Sequence, residues 1–336
     1  MQKKRFQFST ASVDYYFAGG INQLKTIVDK KQTVLIIDEN VFQHHEKKFK
    51  GWNAIVLKSG EEYKVQETVD TVIEQLIEME ADRNTTLVGI GGGVITDLTG
   101  YIASVYMRGI SFGFVPTTLL ALIDASIGGK NGIDVGPFKN MVGTIRQPSF
   151  ILHDLGFVAS LPDNEWRNGF AEIIKHACIK DAAMFKLLEA NSIETFRKNR
   201  TQLAELIQRN ALIKTKIVQK DEFEKGDRKL LNFGHTLGHA LETQYELSHG
   251  EAISIGMAYA SKLSEELIQF KGAARVTGLL TQYGLPTFES FDKERVMKIL
   301  KMDKKKVKDS VNFIVLERIG KAVIKNISFK ELNNLI

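Results

Sequence analysis

The 336-residue chain contains one cysteine, Cys178, so no internal disulfide framework can form; this points to a reducing compartment, read as the cytoplasm. No run of about 18 apolar residues occurs, which argues against a membrane-spanning helix. The opening stretch MQKKRFQFSTASVDYY lacks the apolar centre of a secretory signal. The net charge is +5, but lysines and arginines are scattered, and no basic stripe interleaved with aromatics accompanies them. Nucleic acid is therefore not the expected partner, and a mildly positive field suits a small anionic substrate instead. Beyond residue 160 the only prolines are Pro162 and Pro286. The dinucleotide fingerprint GxGxxG is missing, and so are internal repeats and low-complexity segments.

What is present begins with 43% hydrophobic residues, enough for a sizeable core. A single core stops growing near ~250–300 residues, so two domains are expected. The first half alternates short apolar runs with helical patterns. TVLIIDENV (33–41), NAIVLKSGEEYK (53–64), TTLVGIG (85–91) and SFGFVPTTLL (111–120) read as strands, and VQETVDTVIEQLIEME (65–80) and the run after Gly93 as helices. Such alternation indicates a parallel α/β sheet. From residue 160 long helical patterns dominate, with one late β-like run, SVNFIVLERIG (310–320). The expected organisation is a Rossmann-like dinucleotide domain over 1–159 and a mostly α-helical domain over 160–336.

Two stretches carry chemistry. In GIGGGVITDLTG a strand ends in Gly91, Gly92 and Gly93 and a helix begins at once. Glycines let a phosphate approach the backbone, and a helix N-terminus offers free N–H groups. The plainer alternative is a tight turn that needs φ > 0. Asp38, at the end of an earlier strand, favours a dinucleotide, because a carboxylate there can hold ribose hydroxyls. The second stretch, NFGHTLGHALETQYELSHGEA, gathers His235, His239 and His249 within fifteen residues. If GHTLGHALE is helical, His235 and His239 share a face. The cluster points to a metal or an acid–base site. The missing ligand is expected to be a carboxylate, with Glu172 in NGFAEIIKHACIK the best candidate. Lys175 lies one turn on; the bland alternative is an exposed ion pair.

Taken together, GGGVITDLTGYIASVYMRG, VPTTLLALIDASIGGKNGID, FKNMVGTIRQP, GFAEIIKH, RKLLNFGHTLGHALE and HGEAISIGMA resemble the 3-dehydroquinate synthases, from about Asp38 to Gly320. The resemblance implies an NAD domain and a helical domain with the active site in the cleft between them. It implies conversion of 3-deoxy-D-arabino-heptulosonate 7-phosphate to 3-dehydroquinate and phosphate in the shikimate route to aromatic amino acids. The implied sequence is transient oxidation of the C5 alcohol with tightly held NAD, elimination of phosphate, return of the hydride, and an intramolecular aldol closure.

Carried over position by position, Glu172, His235 and His249 would hold Zn2+ or Co2+, and His239 and Glu224 would handle protons. Substrate would meet Asp124, Lys130, Asn140, Lys175, Lys214, Arg228, Asn232 and one of Lys304 and Lys305. Arg108 would reach the site of the partner in a homodimer. NAD would meet Asp38, Asn40, Glu61, Lys64, Gly92, Gly93, Asp97, Thr117, Thr118, Lys139, Phe157 and Ser160. Thr96, KNGID and IDVGPFKN depart from the commonest family pattern. The alternatives are a sister sugar-phosphate cyclase, of the 2-deoxy-scyllo-inosose or epi-valiolone type, and a metal-dependent polyol dehydrogenase of the same superfold.

Overall fold

The structure is a computed structural model that describes residues 1–136, 138–303 and 309–335. By packing it divides into two units: Met1–Glu165 with Ala204–Glu222, and Trp166–Leu203 with Phe223–Ile336.

The first unit is built on a seven-stranded sheet. Its strands are β1 (Gln2–Gln7), β2 (Ser12–Phe17), β3 (Thr33–Asp38), β4 (Asn53–Leu57), β5 (Thr86–Gly91), β6 (Ser111–Pro116) and β9 (Phe150–Leu152), in the order β1-β2-β9-β6-β5-β3-β4. All neighbouring pairs are parallel except β1 with β2. β3 and β5 run as near-continuous aliphatic segments because they are buried in mid-sheet. β1, QKKRFQ, is the opposite case, an edge strand whose lysines and arginine discourage pairing with another chain. β7 (Lys130–Val135) and β8 (Phe138–Ile145) form a separate antiparallel pair.

The helix Arg200–Lys220 packs with this unit over its later part: Ala211 and Val218 join the core of Val13, Tyr15 and Ile36, and Tyr15 and Thr215 share a hydroxyl hydrogen bond of 3.1 Å. The first unit is thus made of two separate stretches of chain, a pattern that consecutive segments 1–159 and 160–336 do not express.

The second unit is mostly helical, with helices Asp163–Lys180, His235–Glu242 and His249–Ile268 at its centre. It also carries an antiparallel pair, β10 (Ser310–Arg318) with β11 (Lys321–Ser328); the sequence pattern showed only the first. No helix among the described residues is long and apolar enough to cross a membrane.

Candidate active site

In the second unit His235 and His249 converge on Glu172. Glu172 is fully buried on the helix Asp163–Lys180, and its Oε1 lies 3.5 Å from His235 Nε2 and 3.6 Å from His249 Nε2. Those separations are long for hydrogen bonds. They match the edge of a tetrahedron of ligands around one zinc ion, about 3.4 Å for metal–ligand distances near 2.1 Å. The donors, one carboxylate and two imidazoles, fit such an ion, and all three ligand atoms lie within 4.8 Å of one another.

The chain reaches this geometry through close backbone contact. Gly234 takes φ +82°, which favours glycine, just before the helix His235–Glu242. A Cβ on Gly256 would sit 1.9 Å from Gly234 O, and one on Gly250 would sit 2.6 Å from Asn168 Cα. Only glycine lets these three helices meet. Ser248 caps the third helix in a reciprocal box with Glu251, which places His249 at its first position.

Local contacts set the protonation of the two rings. His235 Nδ1 contacts Phe233 O at 3.2 Å, and a carbonyl only accepts, so Nδ1 carries the proton and Nε2 is left as a lone-pair donor. Burial, reinforced by Lys175, keeps His235 neutral by lowering its pKa well below the usual value. His249 faces two carboxylates. Burial opposes its charge, but Glu172 and Glu242 outweigh it and raise its pKa to about 9. Lys175 forms a buried ion pair with Glu172, so the exposed-pair alternative fails. His239, exposed, lies beside the group, its ring centroid 5.0 Å from that of His235. Asn232 donates to Glu224 at 2.7 Å; Glu224 itself takes φ +58°. Arg228 is buried on the short helical turn just before.

The first unit gathers much of the set expected for NAD. The carboxyl ends of β3, β5 and β6 lie side by side, where parallel sheets bind ligands. The helix Gly93–Val105 begins here, with no N-cap side-chain bond and no acidic residue in its first turn. Gly91, Gly92 and Gly93 are absent from the positive-φ positions, so the tight-turn explanation does not account for them. Crowding does: an added Cβ would meet Ile95 at 2.5 Å, Thr118 at 3.1 Å and Ala125 at 3.3 Å, respectively. A bare backbone at a helix N-terminus fits a dinucleotide's phosphates.

Asp38 caps the helix Glu39–His45, accepting from Asn40 N at 3.0 Å and Val41 N at 3.2 Å, and takes the Ser59 hydroxyl at 2.8 Å. Ser59 also receives Asn40 Nδ2 at 2.9 Å; the sequence reading had passed over this serine. Lys64 is buried, with Nζ 2.8 Å from Asp97, 2.7 Å from Asn140 and 3.5 Å from Glu61. Burial works against its charge, yet Asp97 and Glu61 hold it above the ordinary lysine range. Burial pushes Asp97 up to about 6 despite Lys64.

Asn140, expected at the substrate, thus stands among residues expected at the dinucleotide. Lys214 is buried and clamps Asp124, meeting Oδ1 at 2.8 Å and donating to its carbonyl at 2.7 Å; it is not a solvated lysine. Thr117 N donates to Gly91 O at 2.9 Å, and Thr118 Oγ1 accepts from Ala121 N at 3.1 Å. Phe157 is buried against Phe49, with Ser160 donating to its carbonyl at 3.1 Å. Lys130 and Lys139 are exposed on β7 and β8, and Arg108 is exposed at φ +66°. Lys304 and Lys305 lie outside the described residues.

Two family models match consecutive stretches of the chain: 3-dehydroquinate synthase N-terminal over residues 54–168 and 3-dehydroquinate synthase C-terminal over residues 169–306. The chain belongs to the 3-dehydroquinate synthase family. Among its relatives, the 3-dehydroquinate synthase of Campylobacter curvus is 39% identical over 318 residues, covering 91% of both chains. That of Thermodesulfovibrio yellowstonii is 39% identical over 290 residues, 84% of this chain and 81% of the other. Among solved structures, a 2-epi-5-epi-valiolone synthase from Streptomyces hygroscopicus with NAD+ and Zn2+ bound superposes with a TM-score of 0.88 at 28% identity, over 99% and 98% of the two chains. An iron-containing alcohol dehydrogenase from Thermotoga maritima shares the fold at a TM-score of 0.67 and 15% identity, over 98% of both chains.

Proposed function

We propose that this chain is a 3-dehydroquinate synthase, converting 3-deoxy-D-arabino-heptulosonate 7-phosphate to 3-dehydroquinate and phosphate. The observation that carries the reading is the triad Glu172, His235 and His249, set at metal-ligand spacing within a family match over residues 54–306. When bound, NAD supplies a reversible hydride acceptor, and a divalent cation held by the triad supplies a Lewis acid.

The chain's own groups have distinct tasks. Lys64, Asp97, Glu61, Asp38, Asn40 and the Gly92–Gly93 backbone hold the dinucleotide. Lys214 with Asp124, Lys175, Arg228, Lys130 and Asn232 hold a doubly anionic substrate; fixed cations and fork-like guanidinium donors suit phosphate and carboxylate. His239 handles protons, a reading supported by its exposure, and Glu224, hydrogen-bonded by Asn232, takes the second proton-handling role. The active form is a homodimer in which Arg108 serves the partner. Exposed Val105, Met107, Met141, Val142 and Ile145, apolar residues of the Arg108 turn and β8, support a second copy as the neighbour.

The test is to supply the heptulosonate 7-phosphate with catalytic NAD and divalent metal. Phosphate and 3-dehydroquinate should form in equal amounts. Turnover only on other sugar phosphates would move the chain to a sister cyclase.

A further inference from the structure

We propose that Glu242 is a positioning residue for the metal centre, acting through His249; this rests on the metal reading above. Glu242 is the last residue of the helix His235–Glu242 and follows His235 by seven residues, about two turns, so both project from one face. Its Oε2 lies 3.6 Å from His249 Nδ1, while the other nitrogen of that ring, Nε2, lies 3.6 Å from Glu172 Oε1. The side chain is nearly buried, at 11% exposure. Each imidazole ligand thus has its Nδ1 next to an acceptor and its Nε2 aimed at Glu172: the Phe233 carbonyl serves His235, and the Glu242 carboxylate serves His249.

At 3.6 Å the Glu242 carboxylate is long for a hydrogen bond but close enough to act on the ring by charge: it favours the proton on Nδ1 and makes Nε2 a stronger donor. The task needs an acid at this distance from this helix. A glutamine keeps an oxygen acceptor without the charge, and an alanine keeps neither. One short helix therefore delivers both a ligand and the orienting group of a second ligand.

The experiment uses the full chain, stripped with EDTA and titrated with Zn2+ against a chromophoric chelator, and with Co2+ followed by its d–d absorption. Removing such an outer partner costs 10–100-fold in metal affinity as a rule. Glu242→Ala should lose toward 100-fold and Glu242→Gln about 10-fold, with the Co2+ bands shifted in both. The metal-free melting temperature should stay at the parent value. Parental affinity and an unshifted Co2+ spectrum in both variants would overturn the proposal while leaving the metal reading intact. Loss of the metal-free melting temperature in step with affinity would also overturn it, by assigning Glu242 a structural role. Failure of the parent itself to bind Zn2+ or Co2+ would sink the metal reading instead.

Discussion

The contact between Gly256 and Gly234 gives a prediction whose size can be worked from coordinates. A methyl group added at Gly256 would stand 1.9 Å from Gly234 O, and the neighbouring Gly238 N at 3.0 Å closes the other side. Relief to an ordinary contact of about 3.4 Å needs the helices His235–Glu242 and His249–Ile268 to part by roughly 1.5 Å. The obstacle is backbone, which has no rotamer to change. Overpacking of this kind costs about 1–3 kcal/mol, occasionally more. The same displacement carries His235, next to Gly234, away from His249, and metal sites tolerate only about 0.2 Å in ligand distance. Gly256→Ala should therefore lower stability by at least ~2 kcal/mol in urea unfolding and weaken zinc binding in the refolded protein. Gly278→Ala is the matched control. That glycine lies exposed on the helix Ala273–Gln282, and its added Cβ meets nothing within 4 Å. It should gain about 0.5–1 kcal/mol from helix propensity. If Gly256→Ala matched Gly278→Ala in both stability and zinc affinity, the backbone-contact reasoning would be refuted.

Three further outcomes follow from the site. EDTA should abolish turnover and Zn2+ or Co2+ restore it; full activity in a preparation shown by elemental analysis to be metal-free would reject the triad. His239→Ala should lose about 10²–10⁴-fold in kcat while keeping its metal, and loss of metal would make His239 a ligand. Mixing Arg108→Ala with His239→Ala subunits should restore activity after exchange, because one site of the mixed dimer then has both groups; no recovery in proven mixed dimers would place Arg108 in its own chain's site or in none.

Much of this was legible in the residues because the signals were local. The apolar runs of β3, β5 and β6 sit in mid-sheet and have no polar face to blur them. The spacing of His235 and His239 needed only one helix to become one face. What escaped depended on partners distant in sequence. β1 reads as a charged tail because an edge strand exposes its lysines, and becomes a strand only through its register with β2. β8 is exposed along its length and shows no alternation to read. Lys214 looks like any helix lysine until Asp124, ninety residues away, is brought to its ammonium. Gly91, Gly92 and Gly93 read either as room for a phosphate or as a left-handed turn; their φ values and crowded neighbours set the turn aside, a distinction that only the neighbours' positions reveal.

In the proposed reading, one short histidine motif supplies two kinds of chemistry. His235 and His249 approach the buried Glu172 carboxylate, and their side chains are 12% and 31% exposed; His239 is in the exposed class. A ligand gains from burial, because desolvation keeps an imidazole such as His235 unprotonated and its lone pair available. A proton carrier needs the reverse, an imidazole that can exchange with water near neutral pH. On the helix His235–Glu242 the side chains of His235 and Glu242 are 12% and 11% exposed, while His239 between them is in the exposed class. In the proposed roles, the exposure of each imidazole, and not its residue type, separates the proton carrier from the ligands.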